Sequence, residues 1–223
     1  MRWSLFVALL IVSGRAQASF FPGDGPGIPP TNASVGLLDH DKAAATLQSF
    51  EELMAPAVLQ RGGRLHLVLE PENPKVNAQA TREGKEWNII VYGGLLRHPD
   101  LGEAELDLIL GHELGHHLGG TPTAARDGWS ACEGQADYWS TLACFQKLRP
   151  HDDGTLVALQ LTQLYASMGH GATPGLDRRE ELPAPRTFYG YPTPQCRLDT
   201  LVAGLSGQPR PACWFGPPTT MRR

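Results

Sequence analysis

The segment His112-Glu113-Leu114-Gly115-His116 closes an apolar-periodic stretch that begins near Asp100, and the rest of the chain is read outward from it. Positions i and i+4 of an α-helix share a face, about 6 Å apart along the axis. Two imidazoles so placed can bind one metal ion, and tetrahedral zinc accepts such a pair. Glu113 stands beside them, where its carboxylate can take a proton from a water held by that metal. Leu106, Ile109, Leu110, Glu113 and His117 follow three- and four-residue steps, and Gly119-Gly120 supplies a helix stop.

A shuffled chain of this composition would contain H-E-x-x-H about 2% of the time, so the motif alone does not decide the chemistry. The second stretch, Cys132-Glu133-Gly134-Gln135-Ala136-Asp137-Tyr138-Trp139, opens a helix-like run that continues to Leu148. Glu133 offers a third, oxygen ligand. Asp137 lies one turn further on the same face, the place for a carboxylate that accepts the free N–H of a ligating histidine. Two His, one Glu and an open fourth position describe a catalytic zinc site, not a structural one.

At these residues the sequence resembles the M48-type gluzincin zinc metallopeptidases, the group that includes the HtpX- and BepA-like proteases. The resemblance implies His112, His116 and Glu133 as ligands of one zinc ion, Glu113 as general base and Asp137 as support. It further implies an α+β, mainly helical zincin-like domain with a small antiparallel sheet. Trp87-Asn88-Ile89-Ile90-Val91-Tyr92-Gly93-Gly94 looks like the strand before the active-site helix. By the same resemblance, Asn88–Val91 would be an edge strand along the cleft, to which a peptide adds by main-chain hydrogen bonds. Tyr191-Pro192-Thr193-Pro194-Gln195-Cys196-Arg197-Leu198 resembles the family's downstream His-Pro…Arg element, with Tyr191 where the family usually has His. The likeness spans roughly residues 60 to 205.

Arg2, the apolar run Trp3–Val12 and Ala16-Gln17-Ala18 read as a secretory signal, residues 1–18, removed on export to the periplasm or outside the cell. Ten apolar residues are too few to span a bilayer, so no stable membrane span is expected after cleavage. Loss of Arg2 and Arg15 takes the formal charge from −4 to −6. That acidity argues against a nucleic-acid partner. Residues 19–36, SFFPGDGPGIPPTNASVG, form a Pro/Gly-rich extended arm. It is either a loose or strapping terminus or a short inhibitory segment over the active site. Asn32-Ala33-Ser34 matches a glycosylation acceptor. Residues 37–223 then make one domain, large enough for a sizeable core.

Within that domain Leu37–Met54 reads as a helix capped by Asp39 or Asp41, with Ala43, Leu47, Phe50, Leu53 and Met54 as its stripe. Leu65–Leu69 alternates as a strand, and Val76–Ala80 pairs with Trp87–Tyr92 across the turn Thr81–Glu86. His66 is a lone strand histidine, more structural than ligating. The polar loop Thr121–Trp129 joins the two zinc helices and lines the cleft. Thr155–Met168 is a core-packing helix, and 169–195 a long loop suited to a lid. Four cysteines in an exported chain predict two disulfides. Cys132 and Cys144, about 18 Å apart along one helix, cannot pair, so each is expected to reach Cys196 or Cys213.

The chemistry that follows is peptide-bond hydrolysis, with Glu113 moving the proton and a further donor at the developing oxyanion. Tyr191 is the first candidate for that donor, then Tyr189, His170 and Arg197; Arg197 reads equally as a structural ion-pair partner. Two other functions suit the same residues: a silent zinc protein that binds unfolded polypeptide, and a zinc amidase acting on cell wall. Specificity, oligomeric state and the role of the arm are not encoded in any motif.

Overall fold

A computed structural model describes residues 17–23, 25–30, 38–124 and 128–217. The expected leader as far as residue 16 and the Asn32 acceptor lie outside the described residues. The chain enters as strand β1 (Gln17–Ser19), which straddles the expected cleavage point between Ala18 and Ser19. Helix α1 (His40–Gln60) follows, with the Asp39 side chain accepting from the Lys42 amide at its N-cap. It runs past Met54 with Pro56 inside it. Ala43, Leu47, Phe50, Met54 and Val58 are buried, whereas Leu53, off that three- and four-residue step, is exposed.

Strand β2 (Arg64–Glu70) leads to the hairpin β3 (Ala78–Glu83) and β4 (Glu86–Tyr92), closed by Gly84-Lys85, a tighter turn than the sequence suggested. Gly84 has φ +59°, a conformation that glycine adopts without strain. The sheet order is β1-β3-β4-β2. β3 runs antiparallel to β4, but β2 pairs with β4 in parallel, so the small sheet is mixed and not purely antiparallel. β4 is therefore an interior strand, and Asn88–Val91 is not the edge along the cleft. The edges are β1 and β2, and β1 lies antiparallel along β3 with Gln17 opposite Thr81, Ala18 opposite Ala80 and Ser19 opposite Gln79.

A short turn of helix, α2 (Gly93–Leu96), connects to the long α3 (Glu103–Leu118). Then come α4 (Glu133–Trp139), a π-helical continuation over Ser140–Phe145, and α5 (Gln146–Leu148). α6 (Gly154–Tyr165) begins at an Asp153 cap and runs on as a π turn to His170. α7 (Pro194–Leu205) closes the fold, with Thr193 capping the Cys196 amide. The sheet, α1, α3 and α6 enclose one core that includes Phe50, Ile89, Val91, Leu106, Ile109, Leu110, Leu161 and Leu198. The mainly helical α+β architecture of a zincin-like domain is the one expected. Among the described residues no helix is long and apolar enough to cross a membrane.

The arm is held down where it is described. Phe20 and Phe21 are fully buried in the main core, a burial that contributes roughly 3–6 kcal/mol for the pair. The Asn77 side chain accepts from the Phe21 amide at 3.1 Å and donates to the carbonyls of Phe21 and Gly23 at 3.2 and 3.1 Å. Loop 169–195 is tied as well: the Ala184 amide donates to the Ala212 carbonyl and the Phe188 amide to that of Trp214.

The cysteine pairing departs from expectation. Cys196 and Cys213 bond to each other, with Cα atoms 6.0 Å apart, while Cys132 and Cys144 are free and buried. The chain turns back after α7 and brings Cys213 to the start of that helix. Cys144 faces α3 at Gly111 instead, where an added Cβ would lie 3.4 Å from its sulfur.

Candidate metal centre

α3 carries His112, Glu113 and His116 on its inner face, and α4 approaches it closely enough to add Glu133. The approach rests on Gly115: a Cβ there would sit 2.8 Å from the Ala136 carbonyl oxygen and 3.0 Å from its Cα. Only a residue without a side chain lets the two backbones meet at that distance. Glu133 is the first residue of α4, after the extended Cys132 N-cap, so its carboxylate emerges beside the α3 histidines. The Ala131 amide donates to the His116 carbonyl at 2.9 Å and fixes that junction.

The ligand atoms converge. His112 Nε2 and His116 Nε2 are 3.0 Å apart, and Glu133 approaches them at 3.3 and 3.8 Å. His112, Glu113 and His116 present donor atoms within 4.8 Å of one another. Each imidazole is turned by an acceptor behind it. His112 Nδ1 lies 2.8 Å from Asp137, and His116 Nδ1 lies 2.8 Å from the Ala131 carbonyl, with Ser130 Oγ at 3.3 Å. These acceptors place the ring hydrogens on Nδ1 and turn both Nε2 atoms inward.

The two imidazoles respond differently to their surroundings. Burial opposes a charge on His112, but Asp137 and Glu133 outweigh it and hold the ring up to about 9. His116, with burial and its neighbour's charge both against it, is pushed down to about 3. The surroundings thus push the two rings in opposite directions, and a metal ion between the two Nε2 atoms can take the place of a proton there. Glu113 has both carboxylate oxygens buried with no side-chain partner, while Glu133 turns one oxygen to within 3.3 Å of His112 Nε2. Burial, chiefly, pushes the Glu113 carboxyl well above its ordinary range, and the Glu133 charge adds to the shift. Buried carboxylates and inward imidazole nitrogens form a donor set that suits zinc.

Behind the cluster, Arg197 grips Asp137 with two hydrogen bonds, Nε to Oδ2 at 2.8 Å and Nη2 to Oδ1 at 2.7 Å. Burial would raise the Asp137 carboxyl, but Arg197 and His112 dominate and hold it down at about 2. Arg197 comes from α7, so the C-terminal helix orients a histidine on α3 through one carboxylate. Its remaining nitrogen donates to the Phe20 carbonyl at 2.9 Å. Tyr191 donates its hydroxyl to the Ser19 carbonyl at 2.9 Å. Burial raises its phenol pKa, with Glu133 and Glu113 close enough to add to the shift.

The structure therefore gathers His112, Glu113, His116, Glu133, Asp137, Arg197 and Tyr191 into one place. It leaves others out. Tyr189 is half exposed, His170 stacks on Phe21 and Tyr165, and His66 pairs with Glu86 at the surface. His117, next to His116, lies between the Trp87 and Trp129 rings instead of pointing inward. Cys132 and Cys144 provide no bridge. The residues that spacing did not reveal are Ser19 and Phe20. Two adjacent phenylalanines in an otherwise polar, Pro/Gly-rich arm were the available signal for a buried anchor.

The sequence profile of Peptidase family M48 matches residues 41–185. The chain belongs to peptidase family M48. The matched segment contains His112, Glu113, His116, Glu133 and Asp137, and M48 peptidases are zinc-dependent metallopeptidases. Tyr191, Arg197 and the β1 segment lie outside it, so their place at the site of this M48 peptidase rests on the geometry above. Neither the curated proteins nor the solved structures contain a match.

Proposed function

We propose that this M48 metallopeptidase is an exported endopeptidase that cuts unfolded or envelope polypeptide, using one zinc ion held by His112, His116 and Glu133. The observation that carries the reading is the convergence of two inward imidazole nitrogens and Glu133, with Glu113 buried and without a side-chain partner beside them. When bound, zinc supplies a Lewis acid that acidifies water and polarises a carbonyl. Glu113 takes the proton of the attacking water and returns it to the leaving amine. Asp137 and the Ala131 carbonyl hold the ligand rings in their tautomers. Tyr191 donates to the carbonyl oxygen as it becomes anionic.

Support for cutting within a chain comes from β3. It runs past the site, and the chain's own Ser19 and Phe20 lie extended along it, Ser19 opposite Gln79 and the Phe20 amide donating to the Ala78 carbonyl. Such pairing reads main chain more than sequence, which suits unfolded substrates. Residues 1–18 direct export, to the periplasm or out of the cell.

The test is casein degradation by purified protein beside a Glu113→Gln variant whose zinc is measured. Retained zinc with cleavage reduced at least about 100-fold is expected. Equal cleavage by both proteins would remove Glu113 from the mechanism.

A further inference from the structure

The metal cluster is closed. His112 and Glu113 are 0% exposed and His116 1%, so no polypeptide can reach them in this arrangement. Against it lies the chain's own segment Ser19–Phe21. The Phe20 ring stands edge-on to His112, with centroids 5.0 Å apart and planes at 79°. Its amide donates to the Ala78 carbonyl of β3 at 3.2 Å. Two consecutive carbonyls are gripped by residues at the site: that of Ser19 by Tyr191 at 2.9 Å, that of Phe20 by Arg197 at 2.9 Å. The Arg197 guanidinium also lies 4.1 Å over the Phe20 ring.

We propose that Ser19–Phe21, the residues that remain once a leader ending at Ala18 is removed, are an internal substrate mimic. It occupies the peptide cleft in cis, presents its Ser19–Phe20 bond to the site, and keeps the enzyme latent until the segment is displaced. The proposal rests on the peptidase reading above. A segment present only to fill the core would need Phe20 and Phe21 buried. It would not need antiparallel pairing to β3 beside the metal cluster, nor successive carbonyls held by Tyr191 and Arg197. Those are contacts that a bound polypeptide would make.

The same contacts define the substrate class: an extended chain with a small residue followed by a large apolar or aromatic one, the latter filling the space of Phe20 against His112. The latch is Asn77, which clasps Phe21 and Gly23 but does not face the metal cluster. Weakening the latch raises the fraction of molecules with an open cleft. The apparent affinity for an outside peptide rises by the same factor.

The experiment uses the full chain and two readouts. A fluorescein-labelled peptide of residues 16–23 is titrated against Glu113→Gln protein, with and without Asn77→Ala and with and without zinc, and bound peptide is read by anisotropy. Asn77→Ala should tighten binding roughly 10- to 100-fold, the gain expected from losing the three hydrogen bonds of the latch. The same peptide with alanine in place of its first phenylalanine should bind weakly to every form. In a Glu113-intact background, Asn77→Ala should speed casein cleavage by a similar factor.

Casein cut at equal rates with and without the latch would overturn the proposal and leave the peptidase reading standing. Peptide binding as expected with no casein cut by either form would do the reverse. To guard against a variant that does not fold, chymotrypsin is added to the unaltered chain with and without saturating unlabelled peptide. Displacement in trans should expose Phe20 and Phe21 to cutting. No increase in cutting there would also overturn the proposal.

Discussion

Gly115 of α3 and Ala136 of α4 meet backbone to backbone: a single methyl added at Gly115 would lie 2.8 Å from the Ala136 carbonyl oxygen. The two histidines come from one helix and Glu133 from the other, so this contact sets the size of the ligand cluster. Gly115→Ala should push α4 outward and destabilise the fold by about 1–3 kcal/mol, as overpacking does. It should also weaken zinc binding at least about tenfold. Zinc retained in a competition with a graded chelator would check this. Unchanged retention would mean that α4 does not depend on the contact.

Tyr191→Phe removes one hydroxyl and leaves the ring. If that hydroxyl serves the oxyanion, kcat on an unblocked enzyme should fall about 100-fold with KM little changed and zinc content intact. A rise in KM alone would instead make Tyr191 a residue that only grips the bound chain.

Asp107 supplies a pH test away from the metal. It lies buried on α3, its carboxylate 2.6 Å from Arg149. Burial pushes its carboxyl up to about 6 despite the arginine, against 3.8 for the free group. The folded state therefore binds this proton more tightly than the unfolded state. The contribution to stability is full below pH 3.8 and is lost as the pH rises through about 6, by at most about 3 kcal/mol. Asp107→Asn should lack that component while its amide oxygen still accepts from Arg149. Urea unfolding of the chelated protein between pH 4 and 7 should show the difference between the two proteins changing over that range. Parallel curves would dismiss the assignment.

The thiols can be counted. With one disulfide and two buried free cysteines, a thiol reagent should find none in the native protein, two in denaturant and four after reduction. Burial slows the native reaction further by holding the Cys132 thiol up at about 11. Two disulfides, the pattern first expected, would leave none in denaturant without a reductant.

What could be read from the chain beforehand follows a physical division. His112, Glu113 and His116 were legible because an i, i+4 spacing fixes geometry within one helix, and Glu133 and Asp137 because they repeat that spacing on a second. The position of β4 was not legible: nothing in Trp87–Tyr92 reveals that β2 pairs on one side and β3 on the other. The disulfide was missed for the same reason. The sequence separation of 17 between Cys196 and Cys213 says nothing about the chain turning back over α7. The role of Phe20 depends on pairing across some sixty residues to β3, a contact that no local period announces.

The 3.0 Å approach of the His112 and His116 Nε2 atoms has a last consequence. A proton or a metal ion can fill that place, so the two compete. The folded domain is stabilised by whichever is abundant, and each tenfold rise of free zinc above its dissociation constant adds about 1.4 kcal/mol. The melting temperature of this chain should therefore move with the zinc level and the acidity around it. Its durability becomes a property of the compartment as much as of the sequence.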